Sequence, residues 1–114
     1  MAKINKTMKV ETRNFTRKVV YGHAAVLLSG GAVIRGRTKD LSLGGVGLQL
    51  ADQIATGTNC SVLFEAPLNG NMVRVSATAK VIYCILRGPD DFRVGLQFVQ
   101  LDAANNKTLA ELML

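Results

Sequence analysis

The feature that most constrains the fold is a regular alternation of side chains along residues 72–86. Apolar residues recur at every second position from Val73 to Ile85, and the positions between them are polar as far as Lys80. A period of two is that of a β-strand with one buried face. After residue 81 both faces are apolar, which predicts a place where the sheet curls and something packs over its outside.

Turn signals divide the rest of the chain into similar short segments. Gly30 and Gly31 follow one apolar segment, and Asn69-Gly70 precedes the long strand, Asn-Gly being the strongest two-residue hairpin signal. The pattern predicts strands at 19–28, 32–39, 46–50, 60–66, 72–86 and 92–99, followed by a helix within 102–114. Asp102 or Asn105 is expected to cap the helix. An all-β fold follows, either a small closed barrel or a sandwich, with the helix over one opening or flank.

The positive charge is concentrated at the N-terminus. Residues 1–20 hold six basic residues against Glu11, a net charge of +5, so the remaining residues contribute only +1 of the total +6. We therefore divide the chain into a flexible basic arm, residues 1–18, and a folded domain, residues 19–114. Such an arm is either a solvated tail or a local attractant for an anionic ligand, and composition alone leaves both open.

Several classes of protein fit the sequence poorly. No apolar run approaches the ~18 residues of a membrane span, and the N-terminus lacks a secretory signal, so a cytoplasmic location is expected. Cys60 and Cys84 have no metal-site spacing and are predicted to pack as small hydrophobic residues. With His23 alone and no carboxylate pair suited to acid–base work, we expect no enzyme, no metal and no cofactor.

Two polar motifs stand out. Arg13 and Arg17 lie four residues apart in the basic arm, and a segment with Asp40, Ser42, Gly44 and Gly45 separates the second and third predicted strands. A hairpin centred on residue 30 places residue 40 opposite residue 20. The second arginine then lies three residues, or about 10 Å of extended chain, from that position. The two motifs are therefore expected to form one site.

The chemistry of this site suits a ligand with both phosphates and guanine bases. Arginine offers planar paired donors to phosphate and to the O6/N7 edge of guanine. Asp40 accepts from the N1–H and amino groups of guanine, Ser42 can donate, and Gly44 and Gly45 allow close backbone approach. Taken separately, the arginines fit a solvated surface, and the Asp-Ser-Gly segment fits a turn whose side chains bond their own backbone.

Arg13-x-x-x-Arg17 followed by Asp40-x-Ser42-x-x-Gly45 resembles the two-part signature of PilZ domains, which are receptors for bacterial cyclic di-GMP. Gly95-Leu96-Gln97-Phe98 and the trailing helix are also similar to that family, so the resemblance covers roughly residues 10–114. It implies a six-stranded antiparallel β-barrel with a short C-terminal α-helix. The implied cyclic di-GMP contacts are Arg13, Arg17, Asp40, Ser42 and Gly45, with Thr12, Gly44 and Lys18 secondary.

Thr12 stands where many PilZ domains carry a further arginine, which favours one bound ligand over a stacked pair. The expected function is a receptor or adaptor that orders its arm on binding cyclic di-GMP and signals to a partner protein or an attached domain. One alternative is a basic β-barrel that binds single-stranded nucleic acid, disfavoured because only 5% of residues are aromatic and none is Trp. Another is a PilZ-like protein-interaction module without nucleotide binding, against which the intact motif argues.

Overall fold

The computed structural model describes residues 16–114, and the predicted arm residues Thr12 and Arg13 lie outside this range. The described chain forms β1 (Lys18–Leu28), β2 (Val33–Leu41), β3 (Gly45–Leu50), β4 (Asn59–Leu68), β5 (Asn71–Gly88), β6 (Asp91–Gln100) and α1 (Ala103–Leu112). Every strand pairs antiparallel with two neighbours, and the order β1-β2-β3-β6-β5-β4 closes into a barrel. The predicted all-β fold of six antiparallel strands and a C-terminal helix is confirmed.

The barrel interior is filled by the apolar face that the alternation predicts. In β5 the inward positions Val75, Ala77, Ala79 and Val81 are buried, while Arg74 and the other polar positions between them face solvent. The largest fully buried side chains are Phe64, Leu41, Leu48, Leu50 and Leu96. One buried face per strand is thus enough to build the core, because barrel closure turns all these faces inward.

The two-sided apolar part of β5 differs from the prediction. The pairing of β5 with β6 shifts between Val81 and Tyr83, and beyond this irregularity Ile82, Ile85 and Leu86 are exposed. The helix contacts β4 and the earlier half of β5 instead, where the side chain of Asn105 accepts a hydrogen bond from the Ser76 backbone N–H at 2.8 Å. The expectation that another element covers residues 82–86 is therefore wrong for the part of the chain described.

Helix α1 is fixed at both ends by polar contacts. Asp102 is the N-cap residue and accepts from the Asn105 backbone N–H at 2.8 Å, as the sequence predicts. This hydrogen bond also lowers the pKa of the Asp102 carboxyl. At the other end, the Lys18 Nζ donates to the Leu112 carbonyl at 2.8 Å. No helix among residues 16–114 is long and apolar enough to cross a membrane.

A β-bulge alters the predicted register of the β1–β2 hairpin. His23 pairs with Arg37, as a hairpin centred on residue 30 requires, but the pairing shifts between Val19 and Gly22. Asp40 consequently lies opposite Val19, so its predicted pairing with Val20 is wrong by one residue. Gly22 adopts φ 152° here, and a Cβ on it would lie 2.4 Å from the Glu65 carbonyl oxygen. The extra residue of a bulge re-aims the side chains that follow it.

Both cysteines are free thiols, as predicted. Cys60 is buried in the core, where desolvation raises the pKa of its thiol, and Cys84 is half-buried in β5. They behave as small apolar residues of the strands.

Candidate ligand-binding site

The turn between β2 and β3 is held by the side chain of Ser42. Its Oγ accepts hydrogen bonds from the backbone N–H groups of Gly44 and Gly45, each at 3.1 Å. The Ser42 backbone N–H donates to the Gly45 carbonyl at 2.9 Å, and the residue is buried. The segment is thus a side-chain-stabilised turn of the kind that serine favours. Its rigidity fixes the adjacent part of β2 that carries Asp40.

Arg17 reaches this turn from the segment just before β1. Its Nε donates to Asp40 Oδ1 at 3.0 Å and its Nη2 donates to the same oxygen at 2.5 Å. Its Nη1 lies 3.4 Å from Ser42 Oγ. The structure therefore brings Arg17, Asp40 and Ser42 together, although they are separated by 23 and 25 positions in the sequence.

A second arginine approaches the same carboxylate from β6. Arg93 Nη1 lies 3.8 Å from Asp40 Oδ2, and the Asp40 side chain keeps 22% of its surface exposed. Sequence reasoning missed Arg93, because only barrel closure makes β6 the neighbour of β3. Asp40 thus has one arginine at each of its oxygens, which fixes the orientation of the carboxylate.

Two glycines lie next to Asp40 across the sheet, Gly47 on β3 and Gly95 on β6. Asp40 is opposite Gly47, which is opposite Gly95, which in turn is opposite Tyr83. A Cβ on Gly47 would lie 2.7 Å from Asp40 Oδ1, and one on Gly95 would lie 2.1 Å from the Tyr83 ring. Because neither glycine has a side chain, the Asp40 carboxylate packs directly against the backbone of Gly47 and the Tyr83 ring packs directly against that of Gly95.

A pocket of about 590 Å³ opens beside Arg17, which is within the size range of small-molecule sites. It is lined by Arg17, Ser42, Gly44, Gly45, Ile82, Tyr83, Gly95, Leu96, Gln97 and Phe98. The motif Gly95-Leu96-Gln97-Phe98 noted in the sequence belongs to this lining and ends with the aromatic ring of Phe98. The ring is partly buried, stacks on Phe64 at a centroid distance of 6.0 Å and also faces the pocket. No local pattern in the sequence points to Ile82 or Tyr83 as pocket residues, because β5 reaches the site only through its pairing with β6.

The predicted site residues fall into three groups. Arg17, Asp40, Ser42, Gly44 and Gly45 are brought together, and all but Asp40 line the pocket. Lys18 points elsewhere, to the carbonyls at the end of α1, because successive side chains of an extended chain face opposite sides. Arg13 and Thr12 lie outside the described residues. Contact of any of these residues with a ligand stays a prediction.

Comparison with known proteins identifies the family. The PilZ domain family model matches residues 11–114, which is nearly the whole chain. The chain belongs to the PilZ family. PilZ domains are ligand-binding regulatory domains, and residues 16–114 of this one contain no group of three or more His, Cys, Asp or Glu side chains that could hold a metal ion. A comparison with curated protein sequences finds no significant match.

Solved structures show the same fold at low sequence identity. The Inhibitor of motility MotI/DgrA of Bacillus subtilis superposes with a TM-score of 0.71 at 16% identity, over 89% of this chain and 48% of that one. YcgR of Escherichia coli, in complex with c-di-GMP, gives 0.70 at 21% identity, over 88% and 43% of the two chains. The PilZ domain of YcgR with c-di-GMP gives 0.64 at 18% identity, over 89% and 88%. This PilZ domain therefore spans about half the length of MotI/DgrA and of YcgR.

Proposed function

We propose that this PilZ domain is a receptor for cyclic di-GMP and that the pocket beside Arg17 is its binding site. The observation that carries the proposal is the contact of Arg17 with both Asp40 and Ser42 at the edge of the pocket that Arg17 and Ser42 line, since these residues come from both halves of the family signature. Membership of the PilZ family and the c-di-GMP-bound structures of YcgR support the choice of ligand.

Each part of the site has a chemical role in this proposal. Arg17 and Arg13 supply planar paired donors for phosphate and for the O6/N7 edge of guanine. Asp40 accepts from the Watson–Crick edge of guanine, while Ser42 holds the turn and Gly45 lets a base approach the backbone. Tyr83 and Phe98 add aromatic surface at the pocket wall. Because Arg17 and Arg93 already orient Asp40, little ordering is left for the ligand to impose on that carboxylate.

The basic arm is the part proposed to respond. Arg17 already contacts Asp40, and Lys18 already belongs to β1. A dianionic ligand held by Arg13 and Arg17 on one side and by Asp40 on the other would draw the arm residues that precede Arg17 onto the barrel. The new composite surface would then be recognised by a partner protein or an attached domain. Thr12 in place of a further arginine favours one ligand molecule per domain.

Calorimetry with cyclic di-GMP, run beside GMP and single-stranded RNA, tests the proposal. We expect a micromolar or tighter Kd for cyclic di-GMP, about −8 kcal/mol or better, with one molecule per domain and much weaker binding of GMP. Absence of heat at millimolar cyclic di-GMP would contradict the receptor function, and tighter binding of RNA would assign the site to nucleic acid. A ratio of two ligands would contradict only the inference from Thr12.

A further inference from the structure

A second charged surface lies next to the nucleotide pocket, on the outer face of β2, β3, β5 and β6. A depression of about 280 Å³ is lined by Lys39, Gln49, Arg87, Asp91 and Arg93. The net charge of these lining residues is +2, from the three cations Lys39, Arg87 and Arg93 and the one carboxylate of Asp91. A concave surface with excess charge of one sign attracts ligands of the opposite sign.

Two of these cations, Lys39 and Arg87, have no acidic partner among the described residues. Within residues 16–114, Arg93 reaches only Asp40, at 3.8 Å. By contrast, Arg74 on another face pairs with Glu65. The depression thus presents donors to solvent that charged groups of a second molecule can satisfy.

An exposed apolar side chain borders the same cations. Ile85 is the direct cross-strand partner of Arg93, so the two side chains share one face of the sheet. Ile85 keeps 51% of its surface exposed, because α1 packs on the other half of β5. We call Lys39, Arg87, Arg93 and Ile85 together the basic–apolar patch. A small inorganic anion would use its cations and leave Ile85 uncovered.

We propose that the basic–apolar patch docks an acidic segment of a partner protein, whose carboxylates pair with Lys39 and Arg87 while an apolar side chain covers Ile85. Charge complementarity and the adjoining apolar residue identify this occupant. Nucleic acid fits less well, because the described residues that line the depression include no aromatic side chain on which a base can stack. The docking itself requires no nucleotide, so it stands independently of the proposed receptor function.

Arg93 connects this surface to the candidate nucleotide site. Its guanidinium belongs to the patch and also faces Asp40 of the nucleotide pocket. A partner docked here lies beside the proposed ligand and shares one arginine with its site. Arg93 is for that reason unsuitable as a test of docking alone, and Lys39 and Arg87, which do not line the nucleotide pocket, serve instead.

The test measures fluorescence anisotropy of a labelled short peptide rich in glutamate and interrupted by leucine, with the full chain and no nucleotide. One control peptide replaces glutamate by glutamine, and another replaces leucine by serine. The Lys39→Ala/Arg87→Ala double variant is compared with Arg35→Ala/Lys107→Ala, which removes the same charge from exposed cations elsewhere. Ile85→Ser tests the apolar contact, and circular dichroism checks that every variant is folded.

We expect Lys39→Ala/Arg87→Ala to weaken peptide binding at least about tenfold, Ile85→Ser to weaken it several-fold, and Arg35→Ala/Lys107→Ala to leave it nearly unchanged. Both control peptides should bind more weakly than the parent peptide. Equal losses in the two double variants would overturn the proposal, because binding would then follow net charge alone. Undiminished binding of the serine peptide would overturn the proposed apolar contact with Ile85. Tighter binding of tripolyphosphate or a single-stranded oligonucleotide would reassign the patch to a different anion.

Discussion

Asp40 is the residue on which the candidate site depends. Its two carboxylate oxygens face Arg17 and Arg93, and its position over the barrel wall requires the absence of a side chain at Gly47. These three residues come from the segment just before β1, from β6 and from β3, so one acidic residue of β2 contacts three separate parts of the chain. A ligand that engages Asp40 is therefore coupled electrostatically to both arginines.

Arg17→Ala should weaken cyclic di-GMP binding by about 2 kcal/mol, roughly thirtyfold, because a charge-assisted contact is lost. Its side chain is 49% exposed, so the ion pair with Asp40 adds little stability and Tm without ligand should barely change. Calorimetry and thermal melts measure the two effects. Arg17→Lys keeps the charge but loses the planar fork, and should bind nearly as weakly as the alanine variant. A drop of several degrees in Tm without ligand would make Arg17 a structural residue.

Gly47→Ala and Gly45→Ala form a matched pair with opposite expectations. At Gly47 the new Cβ meets the end of the Asp40 side chain, which can turn away, so nucleotide binding should weaken about tenfold with little change in stability. At Gly45 the new Cβ would lie 2.2 Å from the Leu96 carbonyl oxygen. The free energy of unfolding should therefore fall by about 1–3 kcal/mol. Urea denaturation and calorimetry compare them. Equal destabilisation of both variants would show that Gly47 serves the fold and not the site.

At the scale of elements, the start of β1 lies between the pocket and the C-terminal end of α1. Arg17 lines the pocket of the candidate site, and the next residue, Lys18, donates to the Leu112 carbonyl at 2.8 Å and the Leu114 carbonyl at 3.3 Å. Free carbonyls at a helix C-terminus favour a cation, so this contact stabilises the last turn of α1. Two consecutive residues thus connect the pocket to the far end of the C-terminal helix.

Lys18→Ala should loosen the end of α1 while leaving the pocket intact. We expect faster hydrogen exchange at residues 109–114, because the last carbonyls lose their cationic partner, and a change of less than about threefold in cyclic di-GMP affinity. Lys107→Ala, which removes a cation from α1 itself but none of these hydrogen bonds, is the control. A loss of affinity comparable to that of Arg17→Ala would place Lys18 among the ligand contacts after all.

At the scale of the whole molecule, charge is distributed unevenly between the arm and the barrel. Six basic residues and Glu11 within residues 1–20 leave the rest of the chain close to neutral. Like charges this close together in the sequence attract an ion of the opposite sign. We therefore expect an anionic ligand bound at Arg17 to attract this positively charged segment.

Cyclic di-GMP should slow hydrogen exchange at residues 10–18, because the ligand holds the arm against β2 through Arg13 and Arg17. The protection should fall as salt rises, since part of the attraction is screened charge. Exchange measured with and without saturating ligand, at low and at high salt, gives both results. Unchanged exchange at saturation would show that the arm is not the responding element, even if the nucleotide binds.

Local sequence determined the elements of this protein. Period-two alternation specified the inward face of β5, turn residues such as Asn69 and Gly70 marked strand ends, and Asp102 marked the start of α1. These features depend on neighbours within a few residues, which a sequence records directly. The motif Arg17, Asp40 and Ser42 could likewise be predicted to converge, because one short hairpin connects its parts.

Only the tertiary structure decided which strands lie beside the motif. Barrel closure sets β6 against β3, which brings Arg93 to Asp40 and places Tyr83 over Gly95 beside the pocket. A single bulge shifted the predicted pairing of Asp40 by one residue, and the position of α1 decided which carbonyl groups Lys18 meets on its own side of the strand. Strand order and bulges depend on side chains that meet across the barrel, far apart in sequence, and no local pattern encodes those meetings.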